Sequence, residues 1–213
     1  MVDTNERGGV MVTNRETRIT EQVFTDWSDE FNEVEGLYFE RCEFVGASLQ
    51  DVATIRATFD RCNFTAASFN GSTHHGSAFL NSIFTGANFF SACFAQCKMV
   101  GSNFQEVRWT ATEIEGGDWS YCNLRYARLP KSNFAGARLI EADFRDAQLT
   151  QAQFRGADLS RAILSKADLK GADFRGASLA GIDFHEVSLR DVWLDLFQAA
   201  DVVRSLGARV QDS

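Results

Sequence analysis

Five cysteines (Cys42, Cys62, Cys93, Cys97, Cys122) and three histidines (His74, His75, His185) have the widest chemical reach in this chain of 213 residues. No CxxC pair occurs, so neither a structural zinc site nor a dithiol redox motif is supported. GxSxG, P-loop and HExxH patterns are absent, and the Gly/Ala-rich stretch 171–181 lacks the spacing of a phosphate loop. The reading is therefore non-enzymatic, with no catalytic residue, no metal and no cofactor. What remains is carboxylate chemistry. Asp and Glu number 29 against 21 Lys and Arg, a formal charge of -8. Glu106, Glu113, Glu115 and Asp118 form a mid-chain acidic group, and Asp143, Asp158 and Asp183 continue it. Such an array attracts a basic protein groove. The same sign argues against direct binding of nucleic acid.

The elements that place these groups follow from a period of five. From Phe39 to Leu194 every fifth position is large and apolar, with Thr54 and His74 as the exceptions. Fifteen of the 19 Phe fall on this series, and Phe24 and Val34 share its register. The position two before each centre is small almost throughout, as in the unbroken Ala137, Ala142, Ala147, Ala152, Ala157 run. Cys42, Cys62, Cys97 and Cys122 occupy that small inward position and read as buried apolar fillers in a reducing compartment.

Five fits neither the helical period of 3.6 nor the strand period of 2. It fits a chain that turns a corner every five residues, so that four sides close a square coil and stacked coils pair edge to edge at about 4.8 Å. The expectation is an all-β solenoid of about 38 Å without protruding loops. Glycines at 36, 76, 116, 136, 156 and 176 predict one corner per coil with φ > 0. Thr54 and His74, twenty residues apart, are expected on the same side of adjacent coils, with His74 inward and His75 outward.

Segments ADFRD (142–146), ADLSR (157–161), ADLKG (167–171) and ADFRG (172–176) resemble the A(D/N)LXX signature of the pentapeptide repeat family. The resemblance implies a right-handed quadrilateral parallel β-helix, here over 24–194.

The ends depart from the period. Residues 1–23 are polar and are expected to be disordered, with Met11 as an alternative first residue. Asp195 with Gln198 makes a capping box, Gly207 a helix stop, and Leu196, Phe197, Ala200, Val203 and Leu206 an apolar stripe between them. This predicts a short C-terminal α-helix and tail over 195–213: part of the stripe covers the last coil, and an exposed remainder favours a homodimer over a simple intrachain cap.

Gln198-Ala199 and Leu206-Gly207 resemble the C-terminal helix of the MfpA and Qnr group, and 77–104 looks similar to the same group. That resemblance implies a DNA mimic that binds DNA gyrase or topoisomerase IV and protects it from quinolones or a natural gyrase poison. It also implies an end-to-end dimer. Residues 1–20 lack an apolar leader core and no run is long enough to span a membrane, so a cytoplasmic protein is expected. Outward Leu80, Val100 and Ile140 share one column and leave a second reading open, a scaffolding solenoid with an unrelated protein partner.

Overall fold

The computed structural model describes residues 3–4, 10–13, 18–25, 27 and 33–211. Its pairing follows a twenty-residue register. On the first side, β4 (Glu33–Glu35), β6 (Ala53–Ile55), β8 (Thr73–His75), β10 (Cys93–Ala95) and β11 (Glu113–Glu115) stack in parallel. Val34 faces Thr54, and Phe94 faces both His74 and Ile114. On the second side, β3 (Arg18–Thr20), β5 (Tyr38–Glu40), β7 (Thr58–Asp60) and β9 (Ala78–Leu80) do the same. Isolated parallel bridges such as Asn63↔Ile83 and Ser68↔Asn88 form the third and fourth sides and carry all four toward the C-terminus. The fold is a parallel β-solenoid with one short C-terminal helix, α1 (Leu196–Ser205).

Each five-residue side repeats one set of bonds. The centre N–H donates to the carbonyl nineteen residues on, as from Phe44 to Asn63 at 2.7 Å. The small inward residue donates within its own turn, as from Ala47 to Phe44 at 3.1 Å. Centres line the interior from coil to coil. Phe39, Phe59 and Phe79 stack face to face at 4.8 Å, and Phe44, Phe64, Phe84 and Phe104 at 4.7–5.0 Å. These ring distances match the strand spacing, so one coil's rise equals one aromatic stacking distance. A further stack runs through Phe134, Phe154 and Phe174.

Positive φ is not confined to a glycine corner. It occurs at all four corners, and among the described residues twenty non-glycine residues adopt it, from Asn81 (φ 49) to Tyr121 (φ 61). A left-handed non-glycine residue costs about 1–2 kcal/mol. The N–H of the same residue reaches the next coil, as from Arg41 to Asp60 at 2.9 Å, and that bond offsets the strain.

The N-terminal expectation changes. Described residues before Phe24 pair with the solenoid: Arg18–Thr20 lies parallel to Tyr38–Glu40, and β2 (Val10–Thr13) lies parallel to β4. β1 (Asp3–Thr4) pairs antiparallel with β2. The physical reason is that Ile19 sits in the same five-residue register as Phe39, so the strand extends the ladder. The rest of the segment expected to be disordered (1–2, 5–9 and 14–17) lies outside the described residues.

Candidate functional site

Outward positions carry any partner chemistry, and the structure divides the seven acids expected to act there into two kinds. Asp118, Asp143, Asp158 and Asp183 each stand one residue before a centre. In each, Oδ1 accepts the backbone N–H two residues on, from Ser120, Arg145, Ser160 and His185 at 3.0–3.1 Å. Asn63, Asn103, Asn123 and Asn133 make the same bond. The Asp/Asn of the repeat thus satisfies a backbone donor that the ladder leaves over.

Three of these carboxylates are held below the usual range. Burial opposes this for Asp143, but the hydrogen bonds and charge of Arg145 prevail, at 2.5 Å for the closest contact. For Asp158 the cause is the Ser160 hydroxyl at 2.5 Å, and for Asp183 the His185 backbone N–H and then its ring at 2.6 Å. Asp118 lies 3.5 Å from Arg138.

Glu106, Glu113 and Glu115 differ. All three are exposed, and among the described residues none is in an ion pair. Glu113 and Glu115 flank Ile114 on β11 and project outward together from the first side. Glu106 sits at the corner between the third and fourth sides, and Asp118 on the second. The four mid-chain acids therefore encircle the rod rather than forming one patch.

Four N-terminal acids, Glu21, Glu35, Glu40 and Asp60, are paired with arginine among the described residues. Glu40, 6% exposed, contacts Arg18 at 2.5 Å, Arg61 at 2.7 Å and Arg41 at 3.6 Å. Glu35 pairs with Arg56, and Asp60 with Arg61 at 2.9 Å. Near the other end, buried Asp173 takes Arg155 at 2.5 Å and Arg175 at 2.6 Å, and Arg161 meets Glu141 at 2.8 Å.

The cysteines and inward histidine are structural. Cys42, Cys62, Cys97 and Cys122 are buried and unbridged, and each thiol donates to the carbonyl twenty-three residues earlier, from 3.0 Å (Cys122 to Met99) to 3.6 Å (Cys62 to Phe39). Burial pushes Cys62 and Cys97 up to about 12. Among the described residues, no three His, Cys, Asp or Glu side chains are grouped as a metal would require.

At the C-terminal end, Asp195 caps α1 by accepting from Phe197 and Gln198 N–H, and Gln198 Oε1 in turn accepts the Asp195 N–H at 2.9 Å. Asp195 Oδ2 accepts the Gly176 N–H at 2.9 Å, satisfying one donor of the open coil edge. Gln198 Nε2 donates to the Ala177 carbonyl at 3.0 Å. These bonds fix the rotation of the helix. Gln198 and Val202 therefore face the coil, whereas the stripe expected to cover it turns outward. Leu196 is 87% exposed and Phe197 82%, Val203, Leu206 and Trp193 are exposed too, and Ala200 is half-buried.

Residues 42–73 and 152–191 match pentapeptide repeats in eight copies, and 87–164 match a pentapeptide repeat region. The chain belongs to the pentapeptide repeat family. A pentapeptide repeat protein from Mycobacterium tuberculosis, MfpA, is 35% identical over 84 residues. That stretch is 37% of this chain and 46% of MfpA, so the match spans about half of its length. Among solved structures, trypsin-treated QnrB1, a plasmid-mediated fluoroquinolone resistance protein, is similar with a TM-score of 0.73 at 21% identity. The match covers 92% of this chain and 99% of QnrB1. HetL, from the cyanobacterium Nostoc and involved in heterocyst differentiation regulation, is similar with a TM-score of 0.64 at 24% identity, covering 84% and 85%. These likenesses of pentapeptide repeat proteins establish the fold. No helix among the described residues is long and apolar enough to cross a membrane.

Proposed function

We propose that this pentapeptide repeat protein is a DNA mimic that binds a bacterial type II topoisomerase, DNA gyrase or topoisomerase IV, and relieves its inhibition by quinolones or a natural gyrase poison. The observation that carries the reading is the outward pair Glu113 and Glu115 with Glu106, exposed at mid-rod and, among the described residues, without counter-ions, whereas Glu40, Asp143 and Asp173 are each held by arginine. A rigid rod with free carboxylates at its middle presents negative charge to a basic DNA-binding groove without a flexible linker. The acids act as decoys for phosphate, and no bond is made or broken.

The exposed helix face sets the length of the mimic. Leu196, Phe197, Val203 and Leu206 with Trp193 form an apolar patch at the rod's end. A second copy related by a two-fold axis buries it and gives a homodimer of twice the length. The protein works in the cytoplasm, where its target lies, and needs no cofactor.

Supercoiling by purified gyrase in the presence of a quinolone tests the proposal. Added protein should restore supercoiling over an intermediate concentration range and inhibit it at high concentration. Absence of both effects would leave the scaffolding reading in possession.

A further inference from the structure

The five-residue register never slips, yet the hydrogen-bond ladder opens at mid-rod. Asn88 bridges Arg108 and Arg128 bridges Gln148, but Arg108 and Arg128 do not bridge one another. On the adjoining side Glu113 pairs with Cys93 and Asn133 with Gln153, again with no bridge between the two. Among the described residues, the N–H groups of Trp109, Ala111, Arg128 and Asn133 lack the inter-coil partners that every neighbouring coil supplies. The second and third sides stay closed at the same height, with Trp119 to Arg138 at 2.7 Å and Phe104 to Asn123 at 2.9 Å. The coils are splayed like a wedge on two sides and hinged on the other two.

The cause is overfilling of the interior. Val107 and Thr112 occupy successive inward positions that hold Ala, Ser or Cys in most coils, and Trp109 lies between them as an oversized centre. Extra volume in a packed core displaces backbone. The opening also lies where the Phe stack ends at Phe104 and Leu124 and Leu129 begin.

The resulting cleft holds about 680 Å³, within the range of small-molecule sites. Val107, Trp109, Leu129 and Pro130 give it an apolar floor. Arg108, Arg128 and Lys131 stand at its rim, exposed and without a carboxylate partner among the described residues, against the single acid Glu106. Trp109 Nε1 is buried without a hydrogen-bond partner. A buried donor left unmade is costly, so one in a lined cleft marks a place for an acceptor.

We infer that this inter-coil cleft binds a small amphipathic carboxylate. Its apolar body lies between Trp109 and Leu129, and its anionic group meets Arg108, Arg128 and Lys131. Binding is distinguishable from the topoisomerase reading, because the ligand contacts neither Glu113, Glu115 nor α1, although Glu106 at the cleft rim is common to both.

Calorimetric titration of the full chain with 4-phenylbutyrate tests it, with 4-phenylbutylamine as the cationic counterpart. The carboxylate should bind saturably, one per chain, and the amine at least about tenfold more weakly. The double variant R108Q/R128Q should weaken the carboxylate by about tenfold or more, as expected for lost charge-assisted contacts, with unchanged melting temperature. The variant L196E/F197E, which alters the other exposed apolar patch, should bind as the parent does. The inference is overturned by equal affinity for the amine, by full affinity in R108Q/R128Q, by loss in L196E/F197E, or by no saturable heat. Binding of an acetylated tetrapeptide with a C-terminal Leu carboxylate, without binding of phenylbutyrate, would overturn it in favour of a protein C-terminus.

Discussion

His74 Nδ1 lies 2.7 Å from Thr54 Oγ1, one coil away in the middle of the core. One assignment of protons satisfies the whole cluster. Ser72 donates to the Phe69 carbonyl at 2.7 Å, so its oxygen accepts from His74 Nε2–H at 2.9 Å. Thr54 then donates to Nδ1 and accepts from Ser77 at 2.9 Å, which itself accepts the Ala57 N–H at 3.2 Å. The ring is neutral, stacked on Phe94 at 4.9 Å, and burial lowers its pKa from 6.5 to about 3.

This network predicts an acid-sensitive fold. Below about 6.5 the unfolded chain takes up a proton that native His74 refuses, so stability falls as pH drops from about 6.5 toward about 3. The slope from this group is at most about 1.4 kcal/mol per pH unit. His74→Phe keeps the stack on Phe94 and leaves Ser72 bonded to Phe69 and Thr54 to Ser77. Denaturant melts at pH 7 and 5 should show a smaller pH dependence in His74→Phe than in the parent. Equal dependence would remove His74 as the cause.

The Asx bonds predict a division of labour among the acids. Asp158→Ala should lower stability by about 1 kcal/mol, because the Ser160 N–H loses its acceptor. Glu113→Gln with Glu115→Gln should leave the melting temperature unchanged and weaken topoisomerase binding. Thermal melts beside a binding titration separate the two effects; destabilisation by the Glu pair would show it to be structural.

Thiol protection follows from inward packing. Cys42, Cys62, Cys97 and Cys122 should react with a disulfide reagent only on unfolding, because burial raises each thiol and blocks access. Half-buried Cys93 should react first. Rapid labelling of four or more thiols in the native protein would contradict the packing.

Opening of the ladder predicts its own signature in hydrogen exchange. Amides of Trp109, Ala111 and Arg128 should exchange faster than those of Phe89, Ser91 and Gln148, which bond across coils at 2.8–3.1 Å. Uniform protection along the rod would mean that the cleft is closed in solution.

Much of the fold was legible because one period fixes direction, side and burial for every residue, as the buried Phe39-to-Phe104 series shows. The corners were less so. Glycine suggested a single left-handed column, but inter-coil bonds stabilise the same φ in residues such as Arg41 and Tyr121. The rotation of α1 depends on Gln198 reaching Ala177, a long-range bond that an amphipathic pattern does not encode. Asp143, Asp158 and Asp183 looked like surface charge because their backbone partners lie two residues away, across the bend of each side. The open cleft was foreshadowed only by Val107, Trp109 and Thr112 standing in consecutive inward places.

The exposed helix face predicts the assembly. Leu196→Glu with Phe197→Glu should convert a dimer to a folded monomer in light scattering, since neither side chain packs on the coil. A parent that is monomeric at high concentration would refute the interface.

The central claim is mimicry, and competition tests it most directly. A labelled DNA duplex bound to purified gyrase should be displaced by this protein in fluorescence anisotropy, with about tenfold less potency for the Glu113→Gln, Glu115→Gln and Glu106→Gln triple variant. A protein that binds gyrase while leaving the duplex in place, or a triple variant of full potency, would contradict it.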